Sequence, residues 1–100
     1  MDKYKVKISP RAIRELDSIY AYIANDKLAP ENARGQVERI KRAILTLEKL
    51  PQSHQERSEG RYAEKGYRQL LMDHYIAIFR IDEVGKTVYV ITIQYQGRNF

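Results

Sequence analysis

From Tyr67 to Phe100 the chain reads YRQLLMDHYIAIFRIDEVGKTVYVITIQYQGRNF, and this stretch constrains the fold more than any other. It holds three runs suited to β-strands and then a short basic, aromatic tail. Tyr75 to Ile81 is almost continuously apolar, the pattern of a strand covered on both faces. Thr87 to Tyr95 is rich in Val, Ile, Thr and Tyr, side chains that pack well on a pleated surface. Two polar breaks divide the runs. One is Asp73-His74; the other is Asp82-Glu83-Val84-Gly85-Lys86, where Gly85 offers a positive φ. Breaks this short predict an antiparallel meander. Everything upstream is then left to cover one face of a sheet.

The upstream segment has the pattern to do so. Tyr4, Val6 and Ile8 alternate with Lys3, Lys5 and Lys7, which predicts a strand with one wet, positive side. Lysines in that position protect an edge strand from aggregation, or form a row of cations for a ligand. Ser9-Pro10 supplies a cap and a first helical residue with φ already set. Ile13, Leu16, Tyr20 and Ile23 follow at helical spacing, with Ala12 and Ile19 beside them, and the helix is expected to end near Asn25. Pro30 opens a second helix with the stripe Ala33, Val37, Ile40, Ile44, Leu47 and Leu50, stopped by Pro51. The short link makes the two helices an antiparallel hairpin. Gln52 to Gly66 reads as a long polar loop with a brief strand at Arg61-Tyr62-Ala63. The order strand, helix, helix, three strands predicts one α+β domain over residues 1–100: an antiparallel sheet with the hairpin on one face.

Composition bounds the chemistry. The chain has no Cys, hence no disulfide and no thiolate metal site. MDKYKVKIS lacks the apolar run of a signal peptide and no run approaches a membrane span, so a cytoplasmic protein with no membrane partner is expected. Eighteen Lys and Arg against 13 Asp and Glu favour an anionic partner. His54 and His74 lie far apart and read as exposed turn histidines. Glu56 and Glu59 are the carboxylates available as a general base. Arg34, Arg39, Lys41 and Arg42 alternate with Glu31, Glu38 and Glu48, as on a solvated helix face. No metal-ligand spacing or nucleotide-binding glycine loop is present, and no cofactor is implied.

Period-two alternation assigns faces to the sheet. With Tyr75, Ala77, Phe79 and Ile81 toward the helices, the helix-free face is expected to show Leu70, Met72, Ile76 and Ile78, edged by Arg68, Arg80, Lys5 and Lys7. Nothing in the chain remains to cover it. An apolar face of that size predicts a partner, either another copy of the chain or a different protein.

Taken together, Tyr4-x-Val-x-Ile-Ser-Pro10, Tyr22-Ile23-Ala24, Leu47-x-x-Leu50-Pro51, Tyr67-Arg68-x-Leu70, Tyr75-x-x-x-Phe79-Arg80-Ile81, and Val88-x-Val90-x-x-Ile93 running into Tyr95-Gln-Gly-Arg98-Asn-Phe100 resemble the RelE/ParE superfamily of bacterial toxins. The resemblance spans nearly the whole chain. It implies the growth-arresting toxin of a type II toxin–antitoxin, or plasmid stabilisation, module, neutralised by an acidic antitoxin, with a homodimer as the state expected without it. RelE-like members cut mRNA on the ribosome: a ribose 2′-hydroxyl attacks the adjacent phosphate, with a base, an acid and cations assisting. ParE-like members trap DNA gyrase and need no such set. A copy that only binds its antitoxin is a third reading.

Arg68 falls where the RNA-cutting members are basic, whereas Leu70 and Ile76 fall where they carry Lys and Arg. On that resemblance Arg68, Tyr95 and Arg98 are the catalytic candidates if RNA is cut. Arg80, Tyr95, Arg98 and Phe100 are the target-binding candidates. Lys5, Lys7, Leu70, Met72, Ile76 and Ile78 are the antitoxin-binding candidates. The absent cation at Ile76 and the long hairpin tilt the reading toward gyrase inhibition.

Overall fold

The structure, a computed structural model, describes residues 3–26, 28–56 and 66–95. Its elements are β1 (Lys5–Ile8), α1 (Pro10–Ala21), a π-helical turn (Tyr22–Asp26), α2 (Pro30–Leu45), two 3-10 turns (Thr46–Glu48 and Pro51–Ser53), β2 (Arg68–Met72), β3 (Tyr75–Asp82) and β4 (Thr87–Tyr95). The expected strand at Arg61-Tyr62-Ala63 lies outside the described residues.

The four strands form one sheet in the order β1-β4-β3-β2. β2, β3 and β4 make the expected antiparallel meander. β1 runs parallel to β4, with Lys5 opposite Thr87 and Ile8 opposite Val90, so the sheet is mixed and β1 is an edge strand. The helical connection after β1 carries the chain across the sheet, which is what a parallel neighbour requires.

Ser9 ends β1 and starts α1 at once. Its amide donates to the Val90 carbonyl at 2.9 Å, continuing the β1–β4 pairing. Its hydroxyl accepts the Ala12 amide at 3.0 Å as a helix cap and donates to the Ile91 carbonyl at 2.7 Å. Ile91 is the extra residue of a bulge, since Phe79 pairs Val90 while Ile78 pairs Thr92. The bulge reverses the parity of β4, so Val88, Val90 and Ile93 all reach the helices.

The core joins Ala12 and Leu16 of α1, Val37, Ile40 and Ile44 of α2, Leu47, and the sheet residues Leu70, Met72, Tyr75, Ala77, Phe79, Val88, Val90 and Ile93. Two stripe assignments change. Ile13 and Tyr20 sit at the edge of their helix face, 49% and 39% exposed, and Ala12, Leu16 and Ile19 form the inward stripe. Leu50 is outside the core: α2 tightens into a 3-10 turn after Leu45, and Leu50 takes a left-handed φ of 48°. Phe79 is fully buried, and truncating such a side chain costs about 3–5 kcal/mol.

In the β3–β4 turn the left-handed residue is Lys86, not Gly85. Gly85 is required for another reason. Its amide donates to Asp82 Oδ1 at 3.1 Å, and a Cβ there would stand 2.7 Å from Asp82 Oδ2. The same turn is tied to β1 by Tyr4, whose hydroxyl donates to Glu83 Oε1 at 2.6 Å while Gln52 Nε2 donates to both.

Candidate functional site

The helix-free face is read from the register. Lys7, Tyr89 and Arg80 form one row across β1, β4 and β3, and Lys5, Thr87 and Asp82 form the next. Lys5, Lys7 and Arg80 are exposed, and the Arg80 guanidinium lies 4.4 Å from the centroid of the Tyr89 ring. Farther along the face come Ile78 opposite Gln69 and Ile76 opposite Leu71.

Leu70 and Met72 are not on this face. Leu70 pairs Ala77 and Met72 pairs Tyr75, so both share the helix-facing side and belong to the core. The two-residue break at Asp73-His74 is the reason: it puts Met72 directly opposite Tyr75, and directly opposed residues share a face. Ile76 and Ile78 do lie on the helix-free side, but they are 0% and 1% exposed. The four residues therefore offer no open apolar patch. Among the described strand residues, the exposed aliphatic side chain of this face is Leu71, at 53%.

Arg68, at the start of β2, stands opposite Phe79 and so points to the helix-facing side. Its Nη1 donates to the His54 carbonyl at 2.6 Å, and its Nη2 lies 3.7 Å from Glu56 Oε1. The Gln69 amide donates to the Gln55 carbonyl at 2.9 Å, so residues 55–56 briefly extend the sheet beyond β2. This brings His54, Glu56 and Arg68 to one corner. His54 is not a free turn histidine: its ring meets the Phe79 ring edge-on at 5.8 Å. Burial, and then the Arg68 charge, hold its imidazole below the usual histidine range and favour the neutral base. No local pattern around His54 signals this contact with a strand far along the chain. His74 is exposed in the β2–β3 turn, as expected, and Glu59 lies outside the described residues.

Tyr95, at the end of β4, is 69% exposed, and its ring meets that of Tyr75 edge-on at 5.6 Å. Both line a cleft of about 590 Å3 between the sheet and the hairpin, closed by Ser18, Ile19, Tyr22, Ile23, Ala29 and Asn32. The π-helical turn carries Tyr22 and Ile23 into it; such turns recur at functional places. Burial raises the Tyr75 phenol pKa, and the nearby Tyr95 and Tyr22 phenols add to the shift. Among the described residues no charged side chain lines the cleft; Tyr22 of its lining is 50% exposed, and Leu28, next in sequence to the lining residue Ala29, is 84% exposed. Arg98 and Phe100 lie outside the described residues.

Among the described residues no group of His, Asp or Glu is placed to hold a metal ion, and no helix is long and apolar enough to cross a membrane. The described residues thus offer three surfaces: a cationic sheet face, a His–Glu–Arg corner, and a tyrosine cleft whose described lining carries no charge.

The fold has known counterparts. The chromosomal ParDE toxin–antitoxin system of P. aeruginosa superposes with a TM-score of 0.75 at 24% identity, over 93% of this chain and 96% of that one. The RelBE2 toxin–antitoxin complex of Mycobacterium tuberculosis gives 0.63 at 22% identity, over 98% and 97%. The archaeal RelE–RelB complex of Pyrococcus horikoshii gives 0.64 at 16% identity, over 97% and 99%. At these identities the likeness is one of fold. No curated protein matches in sequence. The model of the family described as ParE toxin of the type II toxin–antitoxin system parDE matches residues 6–100. With the α+β fold of both branches and a family match across nearly its whole length, the chain belongs to the RelE/ParE superfamily and, within it, to the ParE toxins of type II toxin–antitoxin systems.

Proposed function

We propose that this toxin arrests growth by inhibiting DNA gyrase and is held inactive by a cognate antitoxin. The observation that carries the choice of target is Ile76. Where the resemblance puts an Arg in RNA-cutting members there is a fully buried isoleucine, and Leu70, where they carry Lys, is 8% exposed in the core. A phosphodiester in cleavage needs cations at the developing charge, and these two positions supply none.

The antitoxin contact belongs on the tyrosine cleft and its mouth. Tyr22, Leu28 and Tyr95 are exposed there, and large aromatic rings with a polar tip dominate protein interfaces. The described lining of the cleft carries no charge, so the antitoxin would fill it with apolar side chains while its carboxylates meet cations outside it. The solved ParDE and RelBE neighbours are assemblies with antitoxins, which supports a protein partner of this kind.

A second reading, ribosome-dependent mRNA cleavage, draws on the meeting of neutral His54, Glu56 and Arg68, a base beside a cation. Two assays separate the readings. Purified toxin added to gyrase and supercoiled DNA is expected to accumulate cleaved DNA, and added to a translation extract it is expected to leave mRNA intact. Cut mRNA with unaffected gyrase would reverse the assignment.

A further inference from the structure

We propose that the row formed by Lys5, Lys7, Tyr89 and Arg80 on the helix-free face is a binding surface for single-stranded nucleic acid. It is separate from the tyrosine cleft and does not rest on the choice of target.

Three features of the row define the ligand. Lys5 and Lys7 are exposed, sit two residues apart on one strand, and project to the same side, about 6.8 Å apart along it. Arg80 is on β3, two strands away across Tyr89, about 9.5 Å from Lys7 in the sheet plane. Among the described residues none of the three cations has an ion-pair partner. Among the described strand residues one carboxylate shares the face: Asp82, half-buried, whose Oδ1 accepts the Gly85 amide. The patch is therefore net positive, and its complement is a chain of negative charges at regular spacing.

The aromatic member narrows the class. The Arg80 guanidinium lies over the Tyr89 ring at 4.4 Å, so two flat groups are stacked beside the lysines, on the two strands next to β1. Bases stack on aromatic rings and guanidinium planes, and a strand with unpaired bases is the polymer that can use both the planes and the cations. A duplex keeps its bases inside, and an acidic peptide has no ring system to place there. The location favours this use too, because β1 is an edge strand and leaves the row open on its outer side.

The test is binding of fluorescent dT and U oligonucleotides by anisotropy across a salt series. The triple variant Lys5→Gln, Lys7→Gln, Arg80→Gln is expected to flatten the slope of log affinity against log salt by about 2, near 0.7 for each phosphate left without its cation. Tyr89→Leu is expected to weaken binding roughly tenfold with a smaller change in slope. Arg34→Gln, Lys41→Gln, Arg42→Gln removes the same charge from α2 and is expected to leave the slope as it is. Circular dichroism checks each fold, and the single lysine variants, each expected to change the slope by about 0.7, serve if the triple variant unfolds. Equal effects of the two triple variants would reduce the row to net charge and overturn the proposal. So would polyglutamate or duplex DNA binding as tightly as the single strands and weakening as much in the Lys5, Lys7, Arg80 variant. Gyrase inhibition measured on the same variants keeps the two readings apart, since its loss or survival does not enter the binding result.

Discussion

The carboxylate of Glu15, on α1, accepts the backbone amide of Ile93, on β4, at 2.9 Å. It also accepts the Thr92 hydroxyl, at 2.8 and 2.9 Å. β1 pairs with β4 only as far as Val90, so beyond that point the outer edge of β4 lacks a strand. Glu15 stands where the next residue of that strand would be and satisfies an edge amide that would otherwise be left unpaired beside the core.

Glu15→Ala is expected to lower stability by about 2–3 kcal/mol, since it leaves the fully buried Thr92 and the Ile93 amide without their acceptor. Glu15→Gln retains a carbonyl oxygen and is expected to lose less. Urea midpoints of the two variants check this; equal losses would show that the charge, rather than the acceptor, matters.

Asp73 gives the fold an acid dependence. Gln36 Nε2 and Arg39 Nε both donate to its Oδ2, at 3.0 and 3.1 Å, tying α2 to the β2–β3 turn. The Gln36 bond first, and the Arg39 bond next, hold its pKa below the ordinary 3.8. The unfolded chain therefore takes up the proton at a higher pH than the folded one. The stability this contributes is complete above 3.8 and is lost as pH falls through the folded value. The carboxylate is 46% exposed, so the effect is expected below about 1 kcal/mol. Asp73→Asn, which tolerates the left-handed φ of 58°, is expected to flatten that part of the acid limb. Glu83, shifted the same way by Tyr4 and Gln52, is expected to keep the remainder.

His54 acts in the neutral range. Its folded pKa lies below the ordinary 6.5, so the unfolded chain binds the proton more readily and stability falls as pH drops below that value. His54→Ala is expected to lose about 0.5–1.5 kcal/mol through the ring contact with Phe79. His54→Phe is expected to recover much of it and to abolish the decline near neutrality. Thermal unfolding of the three proteins over that pH range checks both.

Ile78→Glu tests the sheet face. Because Ile78 is 1% exposed, a carboxylate there would be buried without a partner, at a cost of roughly 3–5 kcal/mol, a large part of a small domain's stability. The variant is expected to lose its circular dichroism or aggregate. A variant with native melting behaviour would show that this part of the face is open.

Much of the fold is legible in the residues. Ser9-Pro10 and the Ala33 to Leu47 stripe specify their helices, and the polar breaks specify the meander. Alternation taken strand by strand puts Leu70 and Met72 on the wrong face, because it ignores the two-residue turn at Asp73-His74 that links β2 to β3. The bulge at Ile91 leaves no mark in a run of Val, Ile and Thr. Nor does local pattern name the partner of β1, or bring His54 to Phe79; both depend on how distant segments close. The tyrosine cleft has the same character, since Tyr22, Tyr75 and Tyr95 become neighbours only when the hairpin meets the sheet.

Where β4 sits in the sheet has a consequence for how the molecule comes into being. It lies between β1 and β3, so Lys5, near one end of the described chain, finds its mate at Thr87, near the other. A nascent polypeptide that has not yet extruded residues 87–95 has no strand for β1 to join and no Ile93 amide for Glu15 to hold. Such distant pairing forms late, after a long loop has closed. On the ribosome, β1 and Glu15 can take their native places only once β4 has cleared the exit tunnel.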